Sequence, residues 1–264
     1  MKLSIITITF NAESCIERTM LSVLNQSESI YEYLLIDGGS KDGTNDIIES
    51  YRTLFESKGV RFFHLSEPDK GISDAFNKGI ANSTGDLIGI INADDELLPE
   101  TAKALRIVTE YSDADIFYGN CLWIDPENGI SYVRKPNGNL SRLYYDLVLI
   151  HPSTFVRKKA YDMYGSFNTE YKLCMDKELL LRMYVGGAQF EYIDKVLTVF
   201  KAGGASDQSV IRTVKEGIKL SNSYNKPKII TYTNALRKII KHKVSSILKK
   251  TPVYTILKQA KKIQ

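Results

Sequence analysis

Short apolar runs alternate with amphipathic segments along the first 120 residues of the chain. The apolar runs are rich in Ile, Leu and Val, and they predict strands buried on both faces at residues 3–10, 33–37, 60–65, 86–91 and 114–119. Between these runs, apolar residues recur at the three- and four-residue spacing of helices. The repeated strand–helix order predicts an α/β fold with a mostly parallel central sheet flanked by helices.

The pattern changes after residue 120. Residues 121–225 mix short strand-like runs with a helical segment at 176–186, and no linker rich in Pro, Gly or Ser separates them from the first half. We therefore assign residues 1–120 and 121–225 to two halves of one domain. Residues 226–264 form an extension with helical periodicity.

Acidic, amide and hydroxyl side chains gather where the predicted strands end. Ligands of parallel sheets bind beyond the carboxyl ends of the strands, so these positions are candidates for a binding site. The acid after the second strand is followed by two glycines, which permit close approach of a ligand but also suit an ordinary turn. The candidates are Thr9, Asn11, Asp37, Glu67, Asp69, Asn92, Asp94 and Asp95.

Asp94 and Asp95 follow the fourth predicted strand after Asn92 and Ala93. Carboxylates are the ligands that Mg²⁺ and Mn²⁺ prefer, and one or two suffice when a substrate supplies phosphate oxygens. The alternative is that one acid caps the helix that begins near Pro99 while the others are solvated. The spacing alone leaves both interpretations open.

Charge is distributed unevenly along the chain. Residues 217–264 contain 12 Lys and Arg and no acid, whereas residues 1–216 have an excess of acids, so the formal net charge of +4 conceals an acidic body with a basic tail. The three cysteines have no metal-binding spacing and are expected to be free thiols in a reducing compartment. We find no signal peptide and no membrane-spanning stretch, and therefore expect a cytoplasmic protein.

Four segments together resemble a known family. "SIITITFN", "LLIDGGSKDGT", "SEPDKGISDAFNKGIANSTGDLIGIINADD" and "MDKELLLRM" resemble the successive motifs of family 2 glycosyltransferases with the GT-A fold, over roughly residues 1–210. The most similar subgroup builds bacterial surface polysaccharides such as O-antigen and capsule. The resemblance implies inverting, metal-dependent transfer of one sugar from a nucleoside-diphosphate donor, with a UDP-sugar favoured. The implied acceptor is a hydroxyl of a glycan, expected to be lipid-linked.

The resemblance also assigns residues of the donor side. It places the nucleotide on Thr9, Asn11, Asp37, Asp69, Lys70 and Asn92, and a Mn²⁺ or Mg²⁺ ion on Asp94 and Asp95. Asn92 stands where the family's DxD element begins with an acid, so it brings no charge to the ion. Asn77 and Gly79 match a repeated N-x-G element, which is equally compatible with helix packing.

On the acceptor side, Asp176 matches the catalytic base of the family, although Met175 replaces the acid that usually precedes it. Glu178 is the alternative base, and it lies about 200° around the predicted helix from Asp176, so only one of them faces the site. Both acids would also suit the first turn of an ordinary helix. His151 falls at a family position near the acceptor cleft.

The basic tail has three interpretations. Binding to an anionic membrane surface is favoured, because the acceptor is expected there and because Lys and Arg accompany an apolar stripe. A second short helix is predicted after Pro252. Packing on the body or in a homodimer is the second interpretation. Nucleic acid is disfavoured by the acidic body. The stripe consists of Ile229, Tyr232, Leu236, Ile239/Ile240, Val244 and Ile247.

Two other functions compete with sugar transfer. A nucleotidyltransferase would share the layout, but the Gly-rich basic loop that grips a triphosphate is absent after the first strand. A non-catalytic nucleotide-sugar-binding subunit is the other alternative, since Asn92 and Met175 depart from the family pattern.

The protein is expected to be a peripheral membrane protein on the inner face of the cytoplasmic membrane.

Overall fold

The structure is a computed structural model that describes residues 1–126, 129–202 and 209–248. Within these ranges the strands are β1 (Leu3–Thr9), β2 (Glu32–Asp37), β3 (Arg61–Ser66), β4 (Leu87–Asn92), β5 (Glu96–Leu97), β6 (Ile116–Asp125), β7 (Ile130–Arg134), β8 (Thr154–Arg157) and β9 (Phe190–Lys201). The helices are α1 (Ile16–Leu24), α2 (Thr44–Ser50), α3 (Arg52–Ser57), α4 (Ile72–Asn82), α5 (Thr101–Tyr111), α6 (Lys158–Tyr164), α7 (Met175–Val185), α8 (Val210–Ser223) and α9 (Lys228–Leu248).

The strands form one mixed sheet in the order β3-β2-β1-β4-β8-β6-β9-β5, with β7 paired to β6. The first four strands of this order are parallel to one another, as the strand–helix alternation predicts. Strand β8 then enters antiparallel between β4 and β6, whereas β6 and β9 are parallel. The predicted α/β class with helices flanking a sheet is confirmed.

Both faces of the sheet are buried. Ile5 and Ile6 are neighbours on β1, are fully buried, and belong to two separate hydrophobic clusters. Because successive side chains of a strand point to opposite faces, a strand covered on both sides is expected to be largely apolar, and the polar residues of β1 are the small Ser4, Thr7 and Thr9. Gly79 lets α4 pack closely on β1, since a Cβ atom at Gly79 would lie 2.5 Å from Ile6 Cγ2.

The second half of the chain completes the sheet. The boundary placed at residue 120 falls within β6, so the two halves share a strand. Helix α9 packs on α8 and continues the extension as far as residue 248; the short helix expected after Pro252 lies outside the described residues. Within the described part of the chain, no helix is both long and apolar enough to cross a membrane. Cys15, Cys121 and Cys174 are free thiols, as expected.

Candidate functional site

The carboxyl ends of β2, β1 and β4 form one rim. Thr9 pairs in register with Asp37, and Ile8 pairs with Asn92, so three of the predicted donor residues lie on adjacent strands. Thr9 is buried, and its hydroxyl has no hydrogen-bond partner among the described residues. The structure therefore brings Thr9, Asp37 and Asn92 together, as the sheet prediction requires.

Asp37 is fully buried, and both oxygens of its carboxylate accept hydrogen bonds from neighbouring residues. It accepts a hydrogen bond from the Ser66 hydroxyl at 2.6 Å and from the backbone N–H of Gly39 at 3.0 Å, and both the hydroxyl and the backbone N–H of Ser40 also donate to it. Burial opposes its ionisation, but these hydrogen bonds outweigh burial and lower the pKa of Asp37. Asp37 thus shapes the loop after β2, and among the described residues its Oδ1 atom accepts a hydrogen bond only from the Ser40 hydroxyl.

Asn11 supports the same loop from the other side. Its backbone is left-handed, with a φ of 48°. The Asn11 side-chain oxygen accepts the backbone N–H of Lys41 at 2.9 Å, and the Asn11 N–H donates to Ser40 Oγ at 2.8 Å. Asn11 and Asp37 therefore fix the path of residues 38–41, and Asn11 is also exposed at this edge.

Asp69 supplies the open carboxylate at this edge. A Cβ atom at Gly38 would lie 2.5 Å from Asp69 Oδ2, so the carboxylate occupies the space that any side chain at position 38 would need. The other oxygen of Asp69 accepts the backbone N–H of Gly71 at 2.7 Å, which fixes the side chain. Asp69 is partly exposed and Lys70 beside it is exposed, so both side chains can reach a ligand.

Asp94 and Asp95 lie in different surroundings. Asp95 is fully buried and accepts the backbone N–H of Asn92 at 3.2 Å and its side-chain amide at 3.0 Å, whereas Asp94 is partly exposed at the rim. Burial, and then the charge of Asp94, raise the pKa of Asp95 to about 8. The structure therefore explains why residue 92 is an amide and not an acid. An acid at this position would repel the buried Asp95.

The acidic segment can bind a divalent ion whose remaining ligands are supplied by a substrate. Within the described residues, no group of three or more His, Cys, Asp or Glu side chains could hold a metal by itself. However, Asp94 is available at the rim, and Asp95 Oδ1 is a buried oxygen without a partner in the described part of the chain. One or two carboxylates with phosphate oxygens are the usual ligands of Mg²⁺.

Asp176 and His151 meet on the acceptor side. Helix α7 places Asp176 in its first turn, and His151 Nδ1 lies 3.5 Å from Asp176 Oδ1. The imidazole ring packs against both Phe76 and Phe167, at centroid distances of 5.2 and 6.2 Å, and these two rings also contact each other. Asp176 Oδ1 and His151 Nε2 are buried atoms with no hydrogen-bond partner in the described ranges. Both residues line one small cavity with Ile90, Thr154, Val156, Tyr161, Phe167, Leu179 and Leu180.

Glu178 is occupied by a salt bridge. Its carboxylate binds Arg182 one turn further along α7, at 2.9 Å and 3.0 Å, and Glu178 is only 6% exposed. Arg182 also donates to backbone carbonyls of residues 164–166, so the pair anchors the loop before α7. Of the two acids in the first turn, Asp176 is the one that faces the cavity.

Asn77, Glu216 and Lys172 hold the loop before α7 in place. The Asn77 side chain donates to the Phe167 carbonyl at 2.9 Å and accepts its N–H at 2.8 Å. Glu216 on α8 accepts the backbone N–H groups of residues 172–174 at 2.9–3.1 Å. Lys172 Nζ reaches the Lys70 carbonyl at 3.0 Å, which joins the loop to the donor side. The N-x-G element was the only sequence signal for this arrangement, and its packing interpretation explains Asn77.

Comparison with known proteins places this geometry in a family. Residues 4–165 match the family described as Glycosyl transferase family 2. The PGL/p-HBAD biosynthesis glycosyltransferase of Mycobacterium bovis (strain BCG / Pasteur 1173P2) is 24% identical over 211 residues, which cover 79% of this chain and 80% of that protein. The match sets aside the nucleotidyltransferase alternative.

Solved structures give the same fold. S. aureus TarS 1-349 in complex with UDP-GlcNAc has a TM-score of 0.67 and 16% identity, over 96% of this chain and 77% of that chain. The mannosyltransferase PcManGT from Pyrobaculum calidifontis, in complex with GDP-Man and Mn²⁺, has a TM-score of 0.66 and 14% identity, over 99% of this chain and 80% of that chain. The chain belongs to glycosyltransferase family 2, and it is a glycosyltransferase with the GT-A fold.

Proposed function

We propose that this protein transfers one sugar, with inversion, from a nucleoside-diphosphate sugar to a hydroxyl of a lipid-linked glycan. The observation that carries the proposal is Asp176, a carboxylate with an unpartnered oxygen among the described residues, held beside His151 at the start of α7. In a single displacement, the acceptor oxygen attacks the anomeric carbon while its proton passes to Asp176 and the nucleoside diphosphate leaves. A carboxylate free of salt bridges to Lys or Arg is suited to take that proton.

The donor is proposed to be a UDP-sugar. TarS is described in complex with UDP-GlcNAc, and the rim residues here suit a nucleotide. The Asp69 carboxylate, which lies over Gly38, can accept hydrogen bonds from the base or the ribose. Lys70 is the next residue in the chain, and its ammonium group can bind the diphosphate. Thr9 offers an unpartnered hydroxyl among the described residues, while Asn11, Asp37 and Asn92 contribute by holding the loops in place.

A Mn²⁺ or Mg²⁺ ion is proposed as the cofactor. Asp94 would hold it directly, and the buried Asp95 would add its unpartnered oxygen. A bound divalent ion neutralises charge that develops on the departing diphosphate. Asn92 would then keep Asp95 oriented through its two hydrogen bonds.

We propose that helix α9 binds the anionic inner face of the cytoplasmic membrane, where a lipid-linked acceptor would be found. Its apolar stripe points to solvent rather than to the body: Ile229, Tyr232, Leu236, Ile240 and Val244 are 47–75% exposed. Exposed basic residues flank the stripe, and α9 contains no acid. This is the pattern of a helix that lies in the membrane surface. A homodimer through the same stripe is the alternative.

The product is proposed to be a bacterial surface glycan, and the similar M. bovis protein is by its name a PGL/p-HBAD biosynthesis glycosyltransferase. A donor screen tests the activity: the protein is incubated with UDP-, GDP- and dTDP-sugars with Mn²⁺, and release of the diphosphate is measured. We expect release of UDP that requires Mn²⁺ and an acceptor. Failure to bind any nucleotide sugar would contradict the proposal.

A further inference from the structure

His64 on β3 lies between two hydrogen-bond acceptors. Its Nδ1 atom is 2.6 Å from Glu49 Oε1, and its Nε2 atom is 3.0 Å from Asn45 Oδ1. Both partners belong to α2, which packs on this face of the sheet. The His64 side chain is only 8% exposed, so water has little access to either nitrogen. A neutral imidazole has one N–H group and cannot donate to both partners.

The contacts of the Asn45 amide show that its oxygen faces His64. The Nδ2 atom of Asn45 lies 3.2 Å from Asp37 Oδ2 and 3.3 Å from Ser66 Oγ. Burial opposes the ionisation of Asp37, but its hydrogen bonds, above all that from Ser40, lower its pKa, so it is a carboxylate and can only accept. The amide therefore turns its NH₂ group to Asp37 and its oxygen to His64.

Both nitrogens of His64 consequently donate, which makes the ring an imidazolium ion. Glu49 faces this charge from α2, and Arg52 of α3 binds the same carboxylate at 2.7 and 2.8 Å. Hydrogen bonds from Arg52, and then from His64, lower the pKa of Glu49 to about 2 against the effect of burial. Glu49 therefore stays ionised while His64 titrates. Asp37 of β2 lies behind the Asn45 amide as the second acid.

We propose that His64 is a positioning residue of the donor site, which holds the loop after β2 while it is protonated. The inference rests on the proposed binding of a nucleotide at this rim. Protonated His64 fixes the Asn45 amide, and Asn45 and Ser66 both donate to Asp37. Asp37 in turn fixes the path of residues 38–41.

This loop borders the carboxylate that is proposed to meet the base or the ribose. A Cβ atom at Gly38 would lie 2.5 Å from Asp69 Oδ2, so a small shift of the loop changes the space at the Asp69 carboxylate. The protonation of His64 is thereby linked to the affinity for the nucleotide.

Loss of the proton breaks the chain of hydrogen bonds at Asn45. The remaining N–H group of His64 stays with Glu49, since a hydrogen bond to a carboxylate is the stronger one. Nε2 then presents a lone pair to the Asn45 oxygen, and the amide turns its NH₂ group to His64. The Asn45 oxygen would then face the Asp37 carboxylate and repel it. Because histidine ordinarily changes charge between pH 5 and 8, UDP affinity should fall as the pH rises through this range.

Calorimetric titration with UDP at about pH 6 and about pH 8.5 tests the proposal in the wild type and in His64→Gln. At the lower pH the variant should bind UDP about three- to tenfold more weakly, because one amide cannot donate to both Glu49 and Asn45. At the higher pH the two affinities should agree within about twofold. The terminal phosphate of UDP titrates alike in both proteins, so its effect cancels in the ratio of their Kd values.

His242→Gln is the matched control, because His242 is an exposed histidine of α9. Its Kd should equal that of the wild type at both pH values. Asn45→Leu breaks the same chain one step further on, and it replaces His64→Gln if that variant does not fold. Asn45→Leu should show the same pH-dependent ratio, and the double variant should bind UDP no more weakly than either single variant at the lower pH.

A ratio of Kd values that is the same at both pH values would overturn the proposal, because a purely structural role of His64 does not depend on its proton. That outcome leaves the proposed function intact. Failure of the wild type to bind UDP at either pH contradicts the proposed donor and removes the positioning role together with it.

Discussion

Neighbouring acids in this protein differ in their surroundings, and the surroundings decide what each can do. Asp95 is fully buried and bound to Asn92, while Asp94 is partly exposed. Glu178 is bound to Arg182, while Asp176 lies beside His151. We therefore assign the ion to Asp94, with the buried Asp95 adding the oxygen that has no partner among the described residues, and proton transfer to Asp176.

The first prediction concerns the ion. Asp94→Ala should abolish the Mn²⁺ dependence of UDP binding, because it removes the carboxylate at the rim and leaves only the buried Asp95, whose pKa is raised by burial. Calorimetric titration with UDP, with and without Mn²⁺, measures this directly. Titration of the wild type without metal serves as the reference. Mn²⁺-dependent binding that is unchanged in the variant would show that the ion lies elsewhere.

The second prediction concerns the space over Gly38. Gly38→Ala should weaken UDP binding by about tenfold or more, because the added Cβ atom displaces the Asp69 carboxylate from its place at the rim. Gly138→Ala is the control, since a Cβ atom there has nothing within 4 Å. Fluorescence or calorimetric titration gives both affinities. Equal affinities in the two variants would remove Asp69 from the nucleotide site.

At the scale of elements, the loop before α7 joins three parts of the molecule. Asn77 ties it to α4, Glu216 ties it to α8, and Lys172 ties it to the donor-side loop. Asp176 lies two residues beyond the last N–H group that Glu216 accepts. The position of Asp176 therefore depends on helices that are remote from the reacting atoms.

The third prediction follows from this arrangement. Glu216→Gln should lower kcat by roughly 10–100-fold and leave donor affinity unchanged, because a neutral amide holds residues 172–174 less firmly and misplaces Asp176. Glu170→Gln is the control, as Glu170 is an exposed acid whose carboxylate pairs with Lys219. Steady-state kinetics with varied donor separates kcat from KM. A change in KM alone would contradict a positioning role.

The sequence could predict the elements of the first half but not their side-chain partners. Runs rich in apolar and β-branched residues, such as residues 3–10, are typical of a sheet covered on both faces, and they predict the strands. The pairing of Glu178 with Arg182 could also be predicted from the sequence, because acids and bases four residues apart lie next to each other on a helix. The hydrogen bond from Ser66 to Asp37 could not be predicted, since Ser66 lies 29 residues away in the chain.

At the scale of the whole molecule, an acidic body carries a basic helix whose apolar stripe faces outward. The periodicity of α9 was visible in the sequence, but the side that faces the body was not. Thr231 and Ala235 face α8, and the larger apolar residues Leu236 and Ile240 do not. In the same way, the insertion of β8 between β4 and β6 depends on long-range pairing that no local pattern reveals.

The fourth prediction tests the role of this stripe. Replacing Leu236 and Ile240 together by Glu should abolish sedimentation with anionic vesicles without lowering the unfolding midpoint, because both side chains are more than half exposed. Ile211→Glu makes the same change at an exposed position on α8 and should bind vesicles like the wild type. A stripe variant that still binds vesicles would contradict membrane docking, and loss of a dimer instead would assign the stripe to a homodimer.

The central claim is that Asp176 takes the proton of the acceptor hydroxyl. The most direct measurement is sugar transfer together with donor binding in Asp176→Asn, beside the exposed control Asp162→Asn. We predict that Asp176→Asn binds UDP like the wild type and loses transfer by at least about 10²-fold, while Asp162→Asn keeps both. Turnover by Asp176→Asn close to that of the wild type would contradict the account.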